Sequence, residues 1–289
     1  MNEMTNLLRD GGLADFANSR PAIPERVVRE RRQYRTIWIS DVHLGTRGCN
    51  AEMLIDFLDH VDSEKMFLVG DIIDGWRLKK KLHWPPAHND VVWRLLKRAK
   101  RGAEVIYIPG NHDEVVRQFC GLDFGGIAIC RDAIHQTADG RRLLVLHGDE
   151  FDVIMLSHRW LGYVGDRAYE AMMGVNRVVN AWRRLFRMPY WSLSKYAKAK
   201  VKNAVEFISR YEEVVAQAAA HRGADGVVCG HIHTAEFRDI DGIAYYNDGD
   251  WVEGCTALLE HFDGRMEILH WADEIEKRQA PAQLLTLAA

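Results

Sequence analysis

Short apolar runs and longer amphipathic stretches alternate through the first half of the chain. Residues 35–40 (RTIWIS), 65–69 (KMFLV) and 104–109 (EVIYIP) are rich in β-branched and aromatic side chains and read as buried strands. Between them, 50–61 and 90–101 carry apolar residues at helical spacing. Strands alternating with helices predict βαβ crossovers and a parallel sheet covered on both faces. After Asn111 the rhythm shortens. Stretches 133–137, 142–146, 226–229, 236–240, 243–247, 256–261 and 265–269 read as strands, several joined by tight turns such as Ala138-Asp139-Gly140 and Asp241-Gly242. The predicted fold is α/β, with two facing mixed β-sheets flanked by helices in a four-layer sandwich. Residues 152–220 show almost no strand signal and predict a helical cap inserted over the strand ends, broken near Met188, Pro189 and Tyr190. The expected organisation is a poorly packed N-terminal tail (1–33), a core built from 34–151 and 221–272, the cap (152–220), and a C-terminal tail (273–289).

Composition narrows the setting. A chain of 289 residues with 47% hydrophobic and 27% charged content is that of an ordinary globular protein. Its net charge of -3 argues against general nucleic-acid binding through bulk charge. Cys49, Cys120, Cys130, Cys229 and Cys255 are odd in number and form no CxxC pair, which suits reduced thiols in a cytoplasmic protein. No signal peptide and no run of eighteen or more apolar residues is present, so the chain is not expected to span a membrane.

The candidate chemistry lies just after the strands. Five motifs follow in order: Asp41-Val42-His43, Gly70-Asp71-Ile72-Ile73-Asp74, Gly110-Asn111-His112-Asp113, His147-Gly148-Asp149 and Gly230-His231-Ile232-His233. One Asp-x-His or His-x-His alone is usually a surface turn or a hydrogen-bonded core histidine. All five, each placed where α/β sheets gather ligands, point instead to one site. Asp41, His43, Asp71, Asn111, His147, His231 and His233 supply enough oxygen and nitrogen donors for two divalent ions. Asp71, in a glycine-flanked turn, can bridge them, and Asn111 offers a neutral carbonyl oxygen that limits negative charge. Asp74, Asp149 and Asp152 fit turn formation or hydrogen bonding to ligands at least as well as ligation. The remaining histidines, His88 and His135 among them, have no matching context.

This set of motifs resembles the calcineurin-like metallophosphoesterases. The resemblance implies that one ion takes Asp41, His43, Asp71 and His233, and the other Asp71, Asn111, His147 and His231. It also makes His112 the residue that contacts the phosphate or protonates the leaving oxygen, with the adjacent Asp113 orienting its ring. Ile39-Ser40-Asp41-Val42-His43-Leu44-Gly45, the Gly-Asp-x-x-Asp turn and an insertion between His147 and His231 are similar to the UDP-2,3-diacylglucosamine diphosphatase branch. That branch cleaves the pyrophosphate of a lipid A precursor at the inner face of the cell membrane, usually with manganese, under a lid that holds the acyl chains. Iron, zinc and cobalt suit the same donors. One position departs from the branch, whose best-defined members carry arginine in place of His112.

The insertion adds a membrane expectation. Residues 177–202 hold eight basic side chains and no acidic one, interleaved with Trp182, Phe186, Tyr190, Trp191 and Tyr196. Such a segment suits an anionic lipid surface, and equally a solvated basic face over a core stripe. A second basic cluster, Arg77-Leu78-Lys79-Lys80-Lys81, follows the Gly-Asp-x-x-Asp motif and suits capture of a phosphate. The expected partner is therefore a lipid phosphate or nucleotide-sugar lipid, met by a peripheral protein on the cytoplasmic side. The alternatives are a phosphodiesterase or phosphatase acting on a soluble nucleotide or nucleic acid, and a non-catalytic scaffold.

Overall fold

The computed structural model describes residues 31–152 and 208–286, the last eight of these as backbone only. The predicted cap, including its basic and aromatic stretch 177–202, and nearly all of the predicted N-terminal tail lie outside the described residues. The described residues form twelve strands: β1 (Arg32–Ile39), β2 (Val61–Val69), β3 (Glu104–Ile108), β4 (Asp123–Phe124), β5 (Ile127–Ile129), β6 (Ala133–Gln136), β7 (Arg142–Val145), β8 (Gly226–Cys229), β9 (Glu236–Ile240), β10 (Ile243–Asn247), β11 (Thr256–Glu260) and β12 (Met266–His270). They make two mixed sheets, ordered β12-β11-β1-β2-β3-β5-β4 and β6-β7-β8-β10-β9. In the first, β1, β2, β3 and β5 run parallel. In the second, β7, β8 and β10 do.

Alternation along each strand builds the layers. Ile37 and Ile39 face the helices Ala51–His60 and Pro86–Lys100, whose Leu54, Phe57, Val91 and Leu95 are buried against them. Trp38 points the other way, with Phe67, Val69, Ile106 and Ile108, onto Leu143, Val145 and Val228 of the second sheet. Trp38 and Phe67 stack in parallel at 5.7 Å, and Phe67→Ala would cost about 3–5 kcal/mol. The outer face of the second sheet, Leu144, Val227 and Tyr245, packs on Tyr211, Val215 and Ala219. Helix, sheet, sheet, helix is the four-layer order expected.

Three boundaries differ from expectation. The first sheet begins at Arg32, which pairs with Val61, so the last two residues assigned to a tail belong to the core. Residues 208–221 are helical and cover the second sheet, which places this end of the expected cap in the core. The expected C-terminal tail is a helix, Trp271–Thr286. Its first residue is buried and donates its indole N–H to Asp56, which also accepts from Arg278.

Candidate metal centre

All five motifs leave the carboxyl ends of β1, β2, β3, β7 and β8, so two sheets deliver their loops to one place. The backbone there is unusual. Asp41, His43, Asp71, His231 and His233 all have positive φ, between 51° and 70°. Among the described non-glycine residues only Asp241 and Cys255 share that conformation. Each costs about 1–3 kcal/mol and persists only where surrounding bonds impose it. Here they do: the N–H groups of Asp41, His43 and Leu44 donate to the carbonyls of Gly70, Asp71 and Ile72, and Asp74 N–H donates to Leu44 O. Two motif glycines are required by close approach. A Cβ at Gly110 would lie 2.3 Å from Asp71 Oδ1, and one at Gly70 would lie 2.2 Å from His147 Nδ1.

The side chains meet with their ligating atoms facing one another. Asp41 Oδ2 accepts the backbone N–H of His231 at 2.9 Å. Among the described residues its Oδ1 has no hydrogen-bond donor, and it lies buried 3.1 Å from His233 Nε2 and 3.8 Å from His43 Nε2. Asp71 Oδ1 accepts the N–H of His112 at 2.8 Å. Asp71 Oδ2 faces His147 Nε2 at 3.5 Å and His43 Nε2 at 3.9 Å. The Nδ1 of His147 is 2.9 Å from Val69 O, which fixes a proton there and turns the buried Nε2 toward the carboxylates. Asn111 Oδ1 is likewise buried and unpartnered. The donor atoms fall into three groups, Asp41 with His43 and His233, His43 with Asp71 and His112, and Asp41 with Asp71 and His147. Within each group they lie within 4.8 Å of one another. Asp41, His43 and Asp71 each belong to two of the three groups, which makes the cluster continuous.

The electrostatics favour a cation. Burial pushes the Asp41 and Asp71 carboxyls up, but the imidazoles of His233 and His147 outweigh it and hold both below the ordinary carboxylate range. Burial opposes charge on His147, yet Asp71 and Asp41 push that imidazole up to about 10. The proton it would hold there occupies a field that suits a metal ion equally well. Burial keeps His43 below its usual value against the pull of Asp71 and Asp41, which leaves a neutral lone-pair donor. Orphaned oxygen and nitrogen atoms and a shared carboxylate fit divalent first-row metals.

Other expected residues fall elsewhere. His231 lies edge-on to His147 at 5.2 Å, and its Nε2 faces Asp152 Oδ1 at 3.0 Å, outside the three groups. Asp113 does not orient His112. Its oxygens accept the backbone N–H groups of Gly110 (2.6 Å), Ile72 (2.8 Å), Asp71 and Ile73 (both 3.3 Å), together with the Tyr107 hydroxyl. It therefore ties the Asn111 loop to the Asp71 turn. The acid beside His112 is Asp74, whose Oδ2 lies 3.0 Å from His112 Nδ1 and 3.4 Å from His43 Nδ1. The first contact is at ion-pair distance but poorly aligned as a hydrogen bond. Asp74 Oδ1 also caps the helix Gly75–Lys80 through Arg77 N–H. His88, unremarkable in the sequence, is buried and accepts Gly45 N–H at 3.0 Å, holding the loop that carries His43.

The sequence model of the calcineurin-like phosphoesterase family matches residues 34–235, the span that carries every one of these groups. The chain belongs to that family. The match lies on the two-sheet fold described above. Over 116 residues the chain is 24% identical to a UDP-2,3-diacylglucosamine hydrolase of Blochmanniella pennsylvanica (strain BPEN), a match covering 39% of this chain and 46% of that protein. The chain thus spans less than half the length of this curated relative. Among solved structures it is similar to a novel archaeal phosphodiesterase, at 12% identity and a TM-score of 0.39 over 81% of this chain and 98% of the other. It is also similar to the phosphopantetheinyl hydrolase of Mycobacterium tuberculosis, at 15% identity and a TM-score of 0.38 over 76% and 90%. Among the described residues, no helix is long and apolar enough to cross a membrane.

Proposed function

We propose that this phosphoesterase is a dinuclear-metal phosphohydrolase that cleaves the pyrophosphate of UDP-2,3-diacylglucosamine or a related lipid-linked phosphoester. The observation that carries the chemistry is the set of buried, unpartnered atoms Asp41 Oδ1, Asn111 Oδ1 and His147 Nε2 around the shared Asp71. Asp41, His43, Asp71 and His233 would hold one ion, and Asp71, Asn111, His147 and His231 the other, with manganese the expected metal. When bound, such ions lower the pKa of water and neutralise charge on phosphate oxygens. The chain's own contribution is positional. Gly70 and Gly110 let Asp71 and His147 close on one another, and Asp113 clamps the turn that aims Asp71. His112 holds a proton at Nε2 for the leaving oxygen, its ring set by Asp74. The partial likeness to a UDP-2,3-diacylglucosamine hydrolase supports the substrate. Exposed Trp76 and Leu82 flank the basic run from Arg77 to Lys81 beside His112, an arrangement suited to a phosphate headgroup with apolar surroundings. The protein would act as a peripheral enzyme on the cytoplasmic face of the membrane, an expectation carried by the basic sequence 177–202.

The His112–Asp74 pair favours a second reading. A pyrophosphate expels a phosphate monoester, which hardly needs a proton, whereas an alkoxide does. A histidine at this position therefore also suits a phosphodiester or monoester of a soluble nucleotide. Phosphorus NMR of manganese-loaded protein with UDP-2,3-diacylglucosamine in mixed micelles separates the two. UMP and a lipid monophosphate should appear with wild type and not with Asp71→Ala. Hydrolysis of an aryl phosphodiester without cleavage of the lipid would reject this substrate.

A further inference from the structure

Ser40 stands between two buried carboxyl groups. Its Oγ lies 2.5 Å from Asp41 Oδ2, 2.7 Å from Asp248 Oδ1 and 3.0 Å from Gly249 O. Ser40, Asp41 and Asp248 are all 1% exposed or less. A hydroxyl has one proton to give. It satisfies one carboxylate, and the other oxygen then faces it as lone pair against lone pair unless that carboxyl brings a proton of its own. The surroundings decide which does. Asp41 Oδ2 also receives His231 N–H, so it accepts twice. Among the described residues Asp248 has no cationic side chain bonded to it, and its Oδ2 is buried without a partner. An ionised carboxylate in that position would leave a charge uncompensated, whereas a neutral acid leaves only a carbonyl oxygen.

We propose that Asp248 is a neutral carboxylic acid donating its proton to Ser40 Oγ, and that Ser40 in turn donates to Asp41 Oδ2. Ser40 and Asp248 are then positioning residues that commit one oxygen of Asp41 and leave Oδ1 alone for a cation. Burial, reinforced by the Asp41 charge, holds the Asp248 carboxyl well above the usual range, against the opposing effects of Ser40 and His147. Gly230 packs directly on the pair: a Cβ there would lie 2.3 Å from Ser40 Oγ and 2.6 Å from Asp41 Oδ2. The role toward the cation rests on the metal-centre reading above, but the proton on Asp248 does not.

The test uses full-length, metal-free protein at neutral pH. In the infrared difference between wild type and Asp248→Asn, the carbonyl stretch of a protonated carboxyl should be lost; loss of carboxylate bands instead overturns the proposal. If Asp248→Asn fails to fold, Ser40→Ala should shift that same stretch by removing its acceptor, and an unshifted band is equally fatal. In calorimetric titration with Mn²⁺, Ser40→Ala should weaken binding by about 10- to 100-fold. Asp248→Asn, which keeps a neutral donor, should rescue much of the affinity that Asp248→Ala loses. Equal losses in the Asn and Ala variants would overturn the relay. Absence of Mn²⁺ binding in wild type would count against the proposed function, while the infrared result still decides the proton.

Discussion

Two buried histidine–carboxylate clusters sit at opposite ends of the same strands, and they are built on opposite principles. At the far end Glu260 accepts at both oxygens, from Arg35 Nη1 (2.7 and 2.8 Å), His135 Nε2 (2.8 Å) and Ala138 N–H (2.7 Å). At the near end Asp41, Asp71, His43, His147 and His233 face one another with ligating atoms left over. None of Arg35, His135 and Glu260 has a left-handed backbone, while Asp41, His43, Asp71 and His233 all do. Apart from His135 Nδ1, which is buried without a partner among the described residues, the far network is satisfied from within and serves as scaffold. An open one, held by strained backbone and by glycines that admit no side chain, is completed by a cation.

Substitutions in the two clusters should therefore give opposite phenotypes. Asp71→Ala, the largest effect expected, should cut metal-dependent phosphoester hydrolysis at least about a thousand-fold, or about 4 kcal/mol. Manganese at a hundred times its Kd should stabilise wild type by about 2.7 kcal/mol in thermal unfolding, and Asp71→Ala should abolish that gain. Glu260→Ala should do the reverse. It leaves buried His135 and partly exposed Arg35 without their carboxylate and should cost about 3 kcal/mol in urea unfolding, with turnover per folded molecule retained. Loss of chemistry in a folded Glu260→Ala protein would break the distinction.

Within the open cluster the same comparison separates ligand from proton carrier. His112→Ala should lower kcat about 100-fold on an alkyl phosphodiester and much less on an aryl ester, because only the poor leaving group needs the proton. Equal losses on both would make His112 a phosphate contact alone. Asp74→Asn retains the helix cap to Arg77 N–H, so its effect isolates the contacts of Asp74 to the His112 and His43 rings. A fall in kcat of about tenfold is expected, with Asp113→Asn instead lowering stability through the Asp71 turn.

What could be read from the sequence divides along the same line. The strands and the ligand-bearing loops were legible because apolar runs of period two and ordered motifs are local signals. Five proposed ligands, Asp41, His43, Asp71, His147 and His233, meet as their motifs imply. Their supports were not legible, since each is a contact made only when distant loops pack. Asp74 reaches His112, Ser40 reaches Asp248 across more than two hundred residues, and His88 reaches Gly45. Asp113 misled because adjacency in sequence to His112 suggested contact, whereas its carboxyl turns toward the Asp71 backbone. The hairpin β4–β5 has strands of only two and three residues, too short for a periodic pattern. The helix Trp271–Thr286 contains Pro281, and what anchors it is the long-range bond from Trp271 to Asp56.

The smallest expected effect is the most direct check on the closed cluster. Burial pushes the Glu260 carboxyl up, but His135 and the Ala138 N–H outweigh it, so its folded pKa is lowered from the ordinary 4.5. The unfolded chain therefore takes up this proton first as the pH falls. The stabilisation from Glu260 is fully present above pH 4.5 and is lost as the pH drops through the lowered folded value. Between about pH 5 and about pH 3.5, the urea midpoint of wild type should fall further than that of Glu260→Gln, which has no such proton to gain. The open-cluster carboxylates titrate in both proteins and cancel in the difference. Parallel midpoints would mean that Glu260 is no more strongly held ionised in the fold than in the unfolded chain, and the contrast between a closed and an open network would lose its electrostatic half.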